Sequence, residues 1–79
     1  MQLNEAVSKR ITELCNQKNL TQYQLSAKSG VPQSTLSTIK NCSFPSMKVR
    51  IIYEVCEGLE IGLKDFFDSP LFDRENLTD

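Results

Sequence analysis

Gly30-Val31-Pro32, in the middle of QYQLSAKSGVPQSTLSTIKN (residues 22–41), constrains this chain more than any other stretch. It predicts two short helices joined by a tight turn. The first runs from about Gln22 to Ser29. Leu25 is its apolar contact, and Ser26 and Ala27 are small enough to let another helix approach. Gly30 ends it, because glycine accepts the left-handed conformation that commonly closes a helix. Val31 is the apolar residue inside the turn. Pro32 opens the second helix, where its fixed φ suits the first turn and its missing N–H costs nothing. Leu36 and Ile39, three apart, bury one face of that helix. The opposite face carries Gln33, Ser34, Ser37, Thr38 and Asn41. These are uncharged side chains that can both donate and accept hydrogen bonds. A merely solvated helix face more often carries Glu and Lys, so this one is suited to reading base edges.

The flanks follow helical periodicity. Asn4 can cap a first helix, and Val7, Ile11, Leu14 and Cys15 recur at the spacing of one apolar face as far as about residue 18, where Asn19 breaks it. Thr21 is a good N-cap for the next helix, and Gln22 sits in its first turn beside unpaired backbone N–H groups, a natural phosphate seat. After residue 41 comes the loop Asn41-Cys42-Ser43-Phe44-Pro45. Ser46 can then cap a fourth helix from 47 to about 58, with Val49, Ile52, Val55, Cys56 and Leu59 as its buried stripe. A short fifth helix spans Leu63–Phe67 and ends at Asp68-Ser69-Pro70. Residues 73–79, DRENLTD, are polar and acidic, the composition of a disordered tail. Strand signals, internal repeats and Gly-rich phosphate loops are absent from the sequence, so the fold class expected is all-α, with one domain over residues 1–72.

Gln22, Leu25, Ser26, Gly30, Val31, Leu36 and Ile39 stand at the spacing of a helix-turn-helix unit. The match extends outward through Arg10-Ile11, Leu14, Leu20-Thr21-Gln22 and "GVPQSTLS" to Leu59, Ile61, Leu63 and Phe66-Phe67. Over roughly residues 5 to 68 the chain resembles the phage-repressor and Cro-like (Xre-type) helix-turn-helix family. That resemblance implies a five-helix, lambda-repressor-like bundle whose second motif helix enters the DNA major groove. It also exposes departures. Members often place an acidic residue where Lys40 stands, paired with the arginine that matches Arg10; here both positions are basic, so Arg10 needs another partner or solvent. Cys42 replaces a frequent glycine, and Asn41 is expected to take the left-handed conformation instead. The loop lacks the usual basic residues and offers Ser43 and Phe44.

Charge is distributed in keeping with one DNA-facing side. The 79 residues carry a net charge of −1, but residues 1–50 hold seven basic side chains against two acidic, net +5, and residues 51–79 hold two basic against eight acidic, net −6. The motif lies in the positive half. Cys15, Cys42 and Cys56 are an odd number without a CxxC pair, and the chain has no histidine. A zinc site is therefore not expected, and no His-based triad can form, so the chain is read as no enzyme and no cofactor is called for. Cys15 and Cys56 sit on apolar stripes and read as buried, reduced thiols. No stretch approaches the ~20 apolar residues that span a bilayer, and no signal peptide is visible, which points to the cytoplasm.

The function expected is sequence-specific binding of double-stranded DNA by a transcriptional regulator of the repressor type. Gln33, Ser34, Thr38 and, more marginally, Ser37 are assigned to base edges: glutamine pairs with adenine N6/N7, and Ser or Thr serves several bases. Gln22, Lys40, Asn41 and Ser43 are assigned to the DNA backbone. No small-molecule ligand is implied, so regulation falls to a partner, concentration or modification. The rival reading is a protein-interaction module, an antitoxin or anti-repressor working through its Phe-rich C-terminal half. That half also predicts a homodimer. Phe66 and Phe67 diverge by ~100° on a helix, which leaves Phe67, Leu71 and Phe72 to cover either a second copy or their own core. A two-fold dimer would place two recognition helices about 34 Å apart, on an inverted-repeat operator.

Overall fold

Local capping chemistry decides where most of the helices begin and end. In the computed structural model, which describes residues 1–44 and 46–79, α1 spans Leu3–Gln17, α2 Gln22–Ser29, α3 Gln33–Lys40, α4 Val49–Leu59 and α5 Leu63–Phe67. Single 3-10 turns follow at Pro70–Phe72 and Arg74–Asn76, and no strand occurs among the described residues. The expected all-α, five-helix fold is the one observed. Thr21 caps α2: its hydroxyl accepts from the Gln24 N–H at 3.1 Å, and the Gln24 side chain accepts from the Thr21 N–H at 2.9 Å. The reciprocal pair satisfies two backbone donors that the helix itself cannot.

Three helices close with the same device. Asn19, Cys42 and Glu60 follow α1, α3 and α4 with φ of 54°, 56° and 60°. After α3 the N–H of Ser43 donates to the carbonyl of Thr38 at 3.0 Å and that of Cys42 to Ile39 at 3.0 Å. After α4 the N–H of Ile61 reaches Cys56 at 3.0 Å, and after α1 that of Leu20 reaches Cys15 at 2.9 Å. These pairings satisfy the last carbonyls of each helix. The left-handed residue after α3 is thus Cys42 rather than Asn41, whose φ is −85°. The glycine that this position favours elsewhere has been replaced in place, without shifting the turn.

Other boundaries differ from the sequence reading. Asn4 lies inside α1, behind the cap residue Gln2, and its side-chain amide donates to the carbonyl of Phe44, which ties α1 to the loop after α3. Helix α4 begins at Val49 behind an extended Lys48, so Ser46 is not its cap, and Val49 is exposed rather than part of the buried stripe. Met47 and Phe44 instead turn onto the core as loop residues, where burial outweighs one more helical turn. Pro45 lies outside the described residues. Gly58 does not end α4; it is buried within it, and the helix runs to Leu59.

The core gathers Val7 and Leu14 from α1, Leu25, Val31, Leu36 and Ile39 from the motif, the Ile52, Val55, Cys56 and Leu59 stripe of α4, and fully buried Phe66 from α5. Helix α2 lies across α4, and Gly58 sets how close they come. A Cβ there would stand 2.7 Å from Ser29 Cβ and 2.9 Å from Ser29 Cα. The close approach therefore uses Ser29, whereas Ala27 faces solvent. Arg10 is buried among this packing, not solvated. Its Nε donates to the Phe66 carbonyl at 2.7 Å and an Nη to the Asp65 carbonyl at 2.8 Å, and its other Nη meets Glu13. The charge that lacks an acidic partner on α3 is thus met by Glu13 and by carbonyls at the end of the short α5.

Residues 73–79, acidic enough in composition to suggest disorder, form a 3-10 turn and return to the start of α1. Thr78 N–H donates to the Met1 carbonyl at 2.9 Å, and the Asp79 carboxylate accepts from Leu3 N–H at 2.5 Å, placing negative charge at a helix N-terminus.

Candidate nucleic-acid interface

The turn between α2 and α3 is held by its serines. Val31 is buried, so its peptide groups need partners within the protein. Ser26 Oγ donates to the Val31 carbonyl at 2.7 Å, and Ser29 Oγ accepts from the Val31 N–H at 3.1 Å. Gly30, at φ 76°, closes α2. Pro32 then stands as the residue before α3, and Leu36 and Ile39 anchor the helix inward. This leaves the outer face of α3 presented as a rigid polar surface.

The four residues assigned to base edges are not equivalent on that face. Gln33 and Ser34, in the first turn, are exposed, and neither side chain is hydrogen-bonded within the described structure. Ser37 is half-buried and accepts from the Gln22 side-chain amide at 2.9 Å. Thr38 Oγ1 donates back to the Ser34 carbonyl at 2.9 Å, so its proton is used within the helix and only its acceptor capacity faces outward. Gln22 has a second contact, to the Gln33 carbonyl at 3.3 Å. The Gln22 side-chain amide thus braces α3 against α2. Lys40, Asn41 and Ser43 are exposed together at the far end of α3, with the Lys40 carbonyl held by Ser8 Oγ at 3.1 Å. Tyr23, passed over in the sequence, is 67 % exposed beside Gln22 at the start of α2. Its place off the Leu25 stripe, one residue after the phosphate-seat glutamine, was the available signal.

The thiols do not contribute reactive groups to this face apart from exposed Cys42. Burial pushes the Cys15 thiol up, and burial with Glu57 nearby does the same to Cys56, so both stay protonated. Among the described residues no His, Cys, Asp or Glu cluster could hold a metal ion, and no helix is long and apolar enough to cross a membrane.

At the other end of the molecule Phe66, Phe67 and Phe72 meet. The Phe67 ring stands edge-on to Phe66 at 5.0 Å and to Phe72 at 4.9 Å between centroids. Phe72 and Leu71 are half-buried, and Phe72 packs on the core; Phe67 is 39 % exposed.

Residues 10–70, most of the chain, match the family of Cro/C1-type HTH DNA-binding domains. The chain belongs to that family. Its fold is similar to prophage Lp1 protein 11, at 32 % identity over 94 % of this chain and 99 % of that one, with a TM-score of 0.82. It is also similar to the wild-type restriction-modification controller protein C.Esp1396I, at 26 % identity over 86 % and 87 % of the two chains and a TM-score of 0.78. The C.Esp1396I chain in its nucleoprotein complex aligns with all of this chain and 99 % of its own, at 25 % identity and a TM-score of 0.80. No curated protein matches the sequence. Membership and this likeness make the protein a DNA-binding transcriptional regulator, of a family that binds DNA rather than catalysing reactions. They do not favour the interaction-module reading.

Proposed function

We propose that the protein is a sequence-specific repressor that acts in the cytoplasm as a homodimer on an inverted-repeat operator, with α3 in the major groove. The observation that carries this reading is the pair Gln33 and Ser34, exposed and uncommitted on the first turn of α3, opposite its buried Leu36 and Ile39. First-turn residues of a recognition helix are those that reach base edges. Thr38, as an acceptor, and Ser37, shared with Gln22, complete the base-facing row. Lys40, Asn41 and Ser43 meet the DNA backbone at one end, and the main-chain N–H of Gln22, in the unpaired first turn of α2, with Tyr23 at the other.

Phe67, with Leu71 and Phe72 beside it, is proposed as the dimer contact. One motif reads too few base pairs for a useful specificity ratio, so a second copy has a functional purpose. A self-complementary patch generates a two-fold axis and half-sites about 10 bp apart. C.Esp1396I forms a nucleoprotein complex, which supports the same mode here. Selection from random duplexes tests the whole reading. The expected result is an inverted-repeat consensus whose affinity falls with salt, with a slope equivalent to about three to six phosphates per bound dimer. No consensus, or affinity indifferent to salt, would overturn it.

A further inference from the structure

Helices α1 and α3 do not close on each other. Between them lies a partly open cavity of about 150 Å³, directly behind the recognition helix. Its walls are apolar: Ile11 and Cys15 from α1, Leu20 and Leu25 around the start of α2, and Leu36 and Ile39 from the inner face of α3. The Cys15 thiol stays neutral there, because burial raises its pKa. The rim is polar, formed by Ser8, Thr12, Asn16, Gln22 and Lys40, and Lys40 is the one charged residue that lines the cavity. A shallow hollow on the adjoining surface shares Lys40 and adds Lys9 and Glu13, whose carboxylate is engaged by Arg10. The free charge at the mouth is therefore positive.

An apolar protein cavity of about 150 Å³ admits a benzene-sized molecule. We propose that this cavity is a regulatory site for a small aromatic carboxylate. The ring lies against Leu36, Ile39 and Cys15, and the carboxylate lies at Lys40 and the amide donor of Asn16, with Gln22 bordering the site. Such a ligand acts on DNA binding in two ways. It engages the Lys40 ammonium, which the proposed function assigns to a phosphate, and it meets Gln22, which braces α3 through Ser37 and the Gln33 carbonyl. The ligand and the operator therefore oppose each other, and this antagonism, unlike the binding itself, rests on the proposed role of Lys40. Regulation then needs no separate ligand-binding domain.

Benzoate is the probe, with ionic strength held constant and benzamide and acetate as controls. Methyl and amide NMR of the full, DNA-free chain should show saturable shifts centred on Cys15, Leu36 and Ile39. Ring protons should give cross-relaxation to the Leu36 and Ile39 methyls, with a Kd of order 1 mM for so small a ligand. Benzamide should bind about fivefold more weakly or worse, acetate should leave the core methyls unmoved, and Lys40→Gln should abolish the preference for the acid. Filling the cavity with Cys15→Met should weaken benzoate by about tenfold. On the selected operator, saturating benzoate should weaken DNA binding by about threefold or more, and DNA should weaken benzoate by the same factor. Absence of saturable shifts, or cross-relaxation to methyls elsewhere, overturns the site in the wild type alone, whatever the variants do. Equal binding of benzamide overturns the carboxylate class. Benzoate bound in the cavity with operator affinity unchanged overturns the antagonism and, with it, the backbone contact of Lys40. Failure to select any operator while benzoate binds as described overturns the repressor reading and leaves the site standing.

Discussion

The two helix seams beneath the recognition surface are built differently. Between α2 and α4 the backbones come so close that only glycine fits at position 58. Between α1 and α3 the side chains stop short of one another and enclose about 150 Å³. Polar ties also differ: Ser8 Oγ to the Lys40 carbonyl links α1 to α3, whereas the motif turn is held by Ser26 and Ser29 within a few residues and α2 to α3 by Gln22. The tight seam fixes α2, and through it the turn and the start of α3 where Gln33 stands. The loose seam runs behind the rest of α3, with Lys40 among its lining residues. In the proposed function the closely packed seam lies behind the end assigned to bases and the open one behind the end assigned to phosphates, which suits contacts that demand geometry and contacts that demand charge.

Thiol chemistry gives the largest contrast. Cys56 lies on the buried stripe of α4 and Cys15 borders the loose seam, while Cys42 is exposed. Alkylation should be fastest at Cys42 and intermediate at Cys15. At Cys56 it should be slower than at Cys42 by about 10³ or more, because Cys56 reacts only when the fold opens. Mass spectrometry of a time course checks this, and equal rates at Cys15 and Cys56 would erase the distinction between the seams.

Stability should separate the seams next. Gly58→Ala drives a Cβ into the Ser29 backbone, so α2 must move, at a cost of about 1–3 kcal/mol or more. Cys15→Met has space to enter and should cost less than about 1 kcal/mol. Urea unfolding of both variants measures the difference. Arg10→Met would leave the Phe66 carbonyl without its side-chain donor and remove one of the two donors to Asp65, a loss of about 1–3 kcal/mol by the same assay. The smallest effect is a gain: Cys42→Gly relieves a left-handed non-glycine residue after α3 and should stabilise by about 0.5–1 kcal/mol.

Much of this was legible in the sequence where the physics is local. Thr21 caps α2, Gly30 closes it, and the period of Leu36 and Ile39 turns the polar row of α3 outward. What escaped depends on residues distant in the chain. Glu13, one turn on, is a local partner of Arg10, but the carbonyls of Asp65 and Phe66 that complete its contacts lie more than fifty positions away. Gly58 carries no local sign of its purpose, which is the close approach of Ser29 from another helix. Lys48 and Met47 delay α4 because Met47 gains more by packing than by helix formation. The candidate site divides the same way. Period places Gln33, Ser34 and Lys40 on α3, and Asn41 and Ser43 follow its end, whereas the bracing of α3 by Gln22 required the crossing of two helices.

The measurement that bears most directly on the central claim, that the outer face of α3 reads DNA from its first turn, is duplex selection repeated with Gln33→Ala and Lys40→Ala. Gln33→Ala should relax preference at one or two base pairs per half-site and cost about 1–3 kcal/mol on the wild-type consensus. Lys40→Ala should weaken all sequences alike and keep the consensus. An unchanged consensus and unchanged affinity in Gln33→Ala would show that another part of α3, or another face of the protein, meets the bases.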